Sequence, residues 1–222
     1  MNLDPRLSLA FEMYPACELA ADIGTDHAHL PAALLRSGKC GRMILTDISP
    51  DALQNARENI GRARLTERAE FRLGDGLAPL REACGAVSVL GMGGRTIREM
   101  LTAAPERLRG AALLLSAHTD LPLVREAVRD IGYHLTAEEP CLDAGRFYLI
   151  MKAEPGEENL TPREIRLGKC LFASASPELR PWIAHRAEVL EAKAAGLRRA
   201  DRPDAELLAE TEEDIRFLKS RL

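Results

Sequence analysis

Residues 21–35, ADIGTDHAHLPAALL, pass from an apolar run through an acidic turn into an apolar-periodic segment. The pattern predicts a strand, a tight turn and a helix. The turn carries Asp22, Gly24, Thr25, Asp26 and His27. A turn that cradles pyrophosphate offers repeated glycines and bare N–H groups at a helix start. This one has a single glycine, which lets a ligand approach the backbone, and two carboxylates, which suit a cation. The competing role for Asp26 is a cap on the following helix, and for His27 a helix-start residue bonded to backbone.

Three further segments repeat the theme. Asp47 follows an apolar run 23 residues after Gly24, where a carboxylate can accept both ribose hydroxyls; it can also serve as a cap, with Ser49 competing for that role. GDGL (74–77) places Asp75 where it can take an adenine amino group, with Gly74 and Gly76 permitting a close turn; an ordinary Asp-Gly turn is the alternative. GMGG (91–94) puts three glycines before a helix, either to keep a cavity open or to let the helix pack closely. One ligand shared by four successive strand ends is simpler than four unrelated local roles. The spacing therefore implies a nucleoside-bearing cofactor, and the acidic first turn points to the sulfonium and ammonium of S-adenosylmethionine.

These segments need a scaffold that brings strand ends together. Strand-like runs fall at 17–23, 42–48, 69–75, 86–92 and 111–117. Amphipathic helices are predicted over 50–63, capped by Ser49 with Pro50 at the first position, over 94–104, and over 120–131, capped by Asp120 and ended by Gly132. Such alternation implies right-handed crossovers and a mostly parallel sheet with helices on both faces. Residues 133–140 and 146–154 are both strand-like, with only CLDAG between them, so they must be antiparallel. A parallel sheet ending in an antiparallel hairpin is the Rossmann-like class I methyltransferase pattern rather than the nicotinamide-binding one.

Residues 1–154 are expected to form this domain, 154–162 a linker, and 161–222 a helical, coiled-coil-like hairpin. Its seams would be Ile183, Ala187, Leu190, Ala194 and Leu197, then Leu208, Ile215, Leu218 and Leu222, joined by a turn at 198–203. A lone hairpin buries little surface, so it should pack on the sheet or on a partner.

Bulk composition narrows the class. The 222 residues are 46% hydrophobic and 29% charged with net charge −4, which excludes a strongly basic nucleic-acid domain but leaves room for a local patch. Residues 161–222 hold 12 Lys/Arg against 11 Asp/Glu, and Arg180, Arg186, Lys193, Arg198, Arg199 and Arg202 fall within 23 residues. That cluster is either a phosphate grip or a solvated helix face; Arg6 is another candidate for phosphate. Five scattered cysteines without a C-x-x-C pair suggest no zinc site and no disulfide framework, and a reducing cytoplasm. His27 and His29 lack a third ligand, so no metal is expected. No apolar run reaches a membrane span, and the first residues show no signal-peptide pattern. Phe11, Tyr14 and Trp182 are the aromatics available for stacking a base.

DIGTDHAHLP, RLGDGL, GMGG and DAGRFYLIMKAEPG, in this order, resemble the bacterial tRNA (adenine-22 N1) methyltransferase (TrmK) family. The resemblance covers most of the chain. It implies S-adenosylmethionine as cofactor, tRNA as partner, and methyl transfer to N1 of an adenine in the D-arm region. The chain is further expected to be a cytoplasmic monomer or weak dimer. The family's cofactor residues then carry over to Asp22, Gly24, Asp26, His27, Asp47, Asp75, Gly76, Gly91, Met92 and Gly93, with the neighbouring Thr25 and Ile48 also expected at the cofactor. Methylation leaves the base cationic, so a nearby carboxylate, Asp26, is expected to act in catalysis with His27 orienting it, and substrate contacts are expected from His29, Gly94, Ser116, His118, Arg186, Arg198 and Arg199. Two departures stand out. His29 occupies a position where members usually carry Tyr, and LSAHTD (115–120) replaces a Leu-Gln-Pro-Asn run. If the missing Asn places the base, Ser116, His118 or Asp120 must substitute. A methyltransferase of a small molecule or protein, and a non-catalytic cofactor-dependent RNA-binding module, are the alternative functions.

Overall fold

The computed structural model describes residues 3–200, 202 and 204–222. Seven strands, β1 (Cys17–Ile23), β2 (Cys40–Asp47), β3 (Ala69–Leu73), β4 (Ala86–Met92), β5 (Ala112–Ala117), β6 (Tyr133–Asp143) and β7 (Arg146–Pro155), form one sheet in the order β3-β2-β1-β4-β5-β7-β6. β1 to β5 pair in parallel, whereas β7 runs antiparallel to both β5 and β6. The mostly parallel sheet with a terminal hairpin is therefore as the sequence predicts. The chain winds outward from β1 in one direction and from β4 in the other, which leaves a crevice beyond the carboxyl ends of these two strands. Both are buried there, from Ala20 to Ile23 and from Ala86 to Val89, which explains their mainly apolar composition; the polar exceptions, Asp22 and Ser88, hydrogen-bond to each other.

The helices are α1 (Pro5–Met13), α2 (His29–Ser37), α3 (Pro50–Arg62), α4 (Gly94–Ala103), α5 (Leu121–Asp130), α6 (Pro162–Leu167), α7 (Leu179–Arg199) and α8 (Ala205–Lys219). Ser49 caps α3 by accepting the Ala52 N–H at 3.3 Å. Asp120 precedes α5 but sits in the left-handed region at φ 54°, and its side chain makes no cap bond. α1 was not anticipated from the sequence, although Asp4 accepts the Leu7 N–H at 2.7 Å and Pro5 opens the helix. β3 stops at Leu73, two residues short of expectation. β6 runs on to Asp143, so the hairpin connection is only Ala144 and Gly145, both at positive φ. That conformation matches the right-handed twist of the flanking strands.

The expected linker is tied down. Buried Glu158 accepts the Leu135 N–H at 3.1 Å and pairs with Lys169 at 2.8 Å. Beyond it a reciprocal Thr161–Glu164 capping box starts α6. The fully buried Arg125–Glu138 pair (2.7 Å) then joins α5 and β6 to the chain that follows: Arg125 donates to the Ile165 carbonyl, and Glu138 accepts the Cys170 and Leu171 N–H groups. Trp182, Ile183, Ala187, Leu190 and Leu218 lie in the same buried cluster as Leu113, Leu135 and Met151 of the sheet, so the helical hairpin packs on the sheet. Leu222 is 39% exposed and leaves the expected seam. α7 continues through Arg199; of the expected turn at 198–203, Asp201 and Pro203 lie outside the described residues.

Candidate active site

The carboxyl end of β1 turns at Gly24, whose φ of 74° favours glycine. The Gly24 and Thr25 N–H groups both donate to the Thr46 carbonyl, at 2.8 and 3.0 Å, so β2 fixes the turn. α2 then starts after Ala28, itself left-handed at φ 51°, with no side-chain cap. Asp26 is thus not a helix cap. Its exposed carboxylate lies 3.2 Å from His27 Nε2. α3 supports the turn through Asn59, whose amide donates to the His27 carbonyl at 2.6 Å and lies 3.0 Å from His29 Nδ1.

A cavity of about 310 Å³ opens beside this turn, walled by Asp22, Gly24, Thr25, Asp26, His27 and His29 on one side and by Gly91, His118, Arg6 and Tyr148 on the other. Asp22 is buried and accepts a hydrogen bond from Ser88 Oγ at 2.5 Å; the Tyr14 hydroxyl lies 3.4 Å from that oxygen. Burial raises the Asp22 pKa, against the opposing pull of the Ser88 hydroxyl. Because the folded-state pKa is raised, the native state binds the proton more tightly than the unfolded chain. The carboxylate therefore costs stability as pH rises from the unfolded value through the folded one, and the cost persists above it. Asp22→Asn is accordingly expected to raise the urea midpoint at pH 7 and to narrow the gap to wild type at low pH, while weakening ligand binding in the cavity. Denaturation at pH 4 and pH 7 with calorimetric titration checks all three.

The Thr25 hydroxyl is buried beside the Asp22 carboxylate, whose pKa it helps to hold down, but it meets no partner in full hydrogen-bond geometry. It is a polar atom left for a ligand to satisfy. On the opposite wall Gly91 bulges out of the β4–β5 register at φ 84°. A Cβ there would stand 3.2 Å from Arg6 Nη1 and 3.7 Å from His118 Nε2, so its absence keeps the space between them open. At Gly24 a Cβ would collide with Cε of Met92. Gly93 opens α4, while Gly94 serves packing: a Cβ would lie 2.5 Å from the Asp120 carbonyl. The two roles weighed for GMGG are thus divided among its glycines.

Asp47, Ile48, Asp75 and Gly76 stand at or just beyond the ends of the adjoining strands β2 and β3. Asp47 Oδ1 accepts the Ser49 N–H at 2.8 Å; Ile48 is 69% exposed and Asp75 is exposed. Ser116 is buried and absent from the cavity wall. The tail arginines also lie elsewhere. Arg186 is half-buried over the Trp182 ring, and burial lowers its pKa. Arg198 pairs with Glu212 at 2.6 Å, and Arg199 donates to the Ala195 carbonyl. Tyr14 and Trp182 are core residues rather than free stacking surfaces. Sequence reasoning missed Tyr148 and the supporting Asn55 and Asn59. Tyr148 sits within the FYLIM run, whose alternation alone does not say which face meets a cavity.

A methyltransferase-domain family matches residues 3–151. The chain belongs to this methyltransferase family. Among relatives, the tRNA (adenine(22)-N(1))-methyltransferase of Bacillus subtilis (strain 168) is 29% identical over 161 residues, covering 72% of this chain and 68% of its own. Streptococcus pneumoniae Sp1610, a candidate tRNA (m1A22) methyltransferase, is 27% identical with a TM-score of 0.88 across 100% of both chains. Its structure in complex with S-adenosyl-L-methionine gives a TM-score of 0.84 at 27% identity over 98% of both chains. In this methyltransferase, the cavity lies where the fold places ligands, at the reversal between β1 and β4. Among the described residues no three His, Cys, Asp or Glu side chains converge as a metal site. Nor is any helix there long and apolar enough to cross a membrane.

Proposed function

We propose that this methyltransferase transfers the methyl group of S-adenosylmethionine to N1 of an adenine in tRNA, at position 22 as in the B. subtilis relative. The observation that carries the reading is the cavity itself: a buried carboxylate, a buried hydroxyl beside it and two left-handed glycines meet at the strand reversal. These residues fit the cofactor. Asp22 offers negative charge to its ammonium, Thr25 Oγ1 a hydrogen-bonding atom, and Gly24 and Gly91 close backbone approach. Asp47 and Asp75 would take the ribose and the adenine amino group, with Ile48, Gly76, Met92 and Gly93 beside them. When bound, the cofactor supplies an electrophilic methyl on a sulfonium.

The protein's remaining task is placement and charge. Adenine N1 already carries a lone pair, so its alignment with the methyl carbon does most of the work. The base becomes cationic as it is methylated, and the Asp26 carboxylate stabilises that charge. His27, 3.2 Å from Asp26, orients it. A base taken from its stack costs a few kcal/mol, which contacts along the RNA must offset. Arg199 at the end of α7, which among the described residues donates to the Ala195 carbonyl rather than to a carboxylate, contributes charge for the phosphate backbone, and Arg198 can join it only by leaving Glu212. The enzyme acts in the cytoplasm as a monomer or weak dimer, with residues 1–154 carrying the chemistry and 161–222 the helical extension.

Asp26→Ala is expected to lower kcat on tRNA by about a hundredfold and to leave the cofactor Kd within about threefold, since Asp26 is exposed and its side chain meets only His27, itself exposed, at 3.2 Å and Asn55 at a long 3.5 Å among the described residues. Labelled-methyl transfer with calorimetry tests this. Unchanged kcat would remove Asp26 from the mechanism.

A further inference from the structure

The wall opposite Asp26 is assembled from three distant parts of the chain: Arg6 on α1, His118 after β5 and Tyr148 on β7. The Arg6 guanidinium lies over the Tyr148 ring at 5.3 Å from its centroid. His118 meets the same ring edge-on at 5.9 Å. The His118 backbone is fixed, its N–H donating to the Met92 carbonyl at 2.9 Å, but its exposed ring makes no side-chain hydrogen bond or ion pair among the described residues. Tyr148 is half-buried and its hydroxyl is likewise unengaged among the described residues. Gly91 leaves open the slot that His118 Nε2 faces. Of the three residues that LSAHTD offers, Ser116 is buried and Asp120 is absent from the wall, so only His118 reaches the cavity.

A planar ring held by a cation, an imidazole with free nitrogens and a glycine-opened slot together make a site for a planar, polar-edged ligand. An aromatic face supplies sequence-tolerant stacking, and a positioned hydrogen bond supplies discrimination. We propose that Tyr148 and His118 hold the target adenine: Tyr148 is the surface against which the base rests, and His118 is the specificity-determining residue that hydrogen-bonds its polar edge. Arg6 is a positioning residue that fixes the Tyr148 ring. The inference rests on the reading of this cavity as an adenine-methylating site, and it assigns to His118 the role left open by the departure at residues 115–120.

The test measures kcat and KM on transcribed tRNA, and S-adenosylmethionine Kd by calorimetry, for wild type, His118→Ala, His118→Asn and Tyr148→Leu. Wild-type methylation of tRNA at adenine N1 checks the underlying reading independently; if that fails, the functional reading falls first. Given that activity, His118→Ala and Tyr148→Leu should each lose about tenfold to a hundredfold in kcat/KM for tRNA, with cofactor Kd within threefold of wild type. His118→Asn, which keeps a donor and an acceptor, should recover most of the loss. Unchanged kcat/KM, or a parallel loss of cofactor affinity, would overturn the assignment of this wall to the base. An Asn variant no better than Ala would overturn the hydrogen-bonding role of His118.

Discussion

Gly24→Val should weaken S-adenosylmethionine binding by a hundredfold or more. Two causes act together. The backbone there is left-handed at φ 74°, a conformation that a β-branched residue adopts only under strain. A side chain would also meet the Met92 methyl group, the far end of a flexible side chain that would have to move aside. Relief of the strain moves the turn, and with it the Asp22 and Thr25 groups that the cofactor needs. A hundredfold corresponds to about 2.8 kcal/mol, within reach of one displaced turn. The causes separate when Gly24→Val with Met92→Ala is compared with Met92→Ala alone, which carries any loss from the methionine itself: removing that side chain eliminates the collision but not the positive φ, so the penalty for Gly24→Val should shrink without vanishing. Calorimetric titration of these variants, with urea unfolding to check the fold, reads the difference. Wild-type affinity in Gly24→Val would mean that the cofactor does not use this turn.

Glu138→Ala carries the largest expected effect on stability, a loss of about 3–5 kcal/mol. Glu138 and Arg125 have fully buried side chains, and both Glu138 oxygens are engaged, Oε1 by Arg125 and Oε2 by the N–H groups of Cys170 and Leu171. Its removal leaves a buried guanidinium uncompensated and two backbone donors unpaired. Arg186 is close enough for the Arg125 charge to depress its pKa further, after burial, so the orphaned cation would also face a like charge. Replacing both partners by apolar residues, Arg125→Met with Glu138→Leu, should cost less than the single change because no charge is stranded. Urea midpoints of the single and double variants decide the point; a single variant as stable as wild type would show that the pair is not what holds residues 165–171 to the sheet.

Much of the fold was legible. Parallel strands buried on both faces read as mainly apolar runs, and the short spacing between residues 140 and 146 forced an antiparallel hairpin. Ser49 with Pro50 marked the start of α3. The same local logic failed at Asp120, where residue type suggested a cap but the backbone entered the left-handed region. It failed again at Glu158, whose polar surroundings read as a linker although its carboxylate is buried against the Leu135 amide. In the cavity, Asp22, Gly24, Asp26, His27, His29, Gly91 and His118 were each marked by strand-end position or by the family resemblance, and the fold brings them to one space. Tyr148 was missed, and Arg6 was taken only as a phosphate contact, because their meeting depends on the α1 packing angle and the β7 register. Neither leaves a periodic trace. The arginines of α7 show the reverse problem: clustered in sequence, they are dispersed by ion pairing and burial, as Arg198 with Glu212 and Arg186 over Trp182 illustrate.

The account stands on one chemical outcome. Purified protein is incubated with methyl-labelled S-adenosylmethionine and unmodified tRNA, the RNA is digested, and the labelled nucleosides are identified by mass spectrometry. The expected product is 1-methyladenosine, confined to one position of the D-arm region and formed about a hundredfold more slowly by Asp26→Ala. Label recovered only as N6-methyladenosine, only on protein, or nowhere despite bound cofactor would contradict the assignment of this cavity to adenine N1.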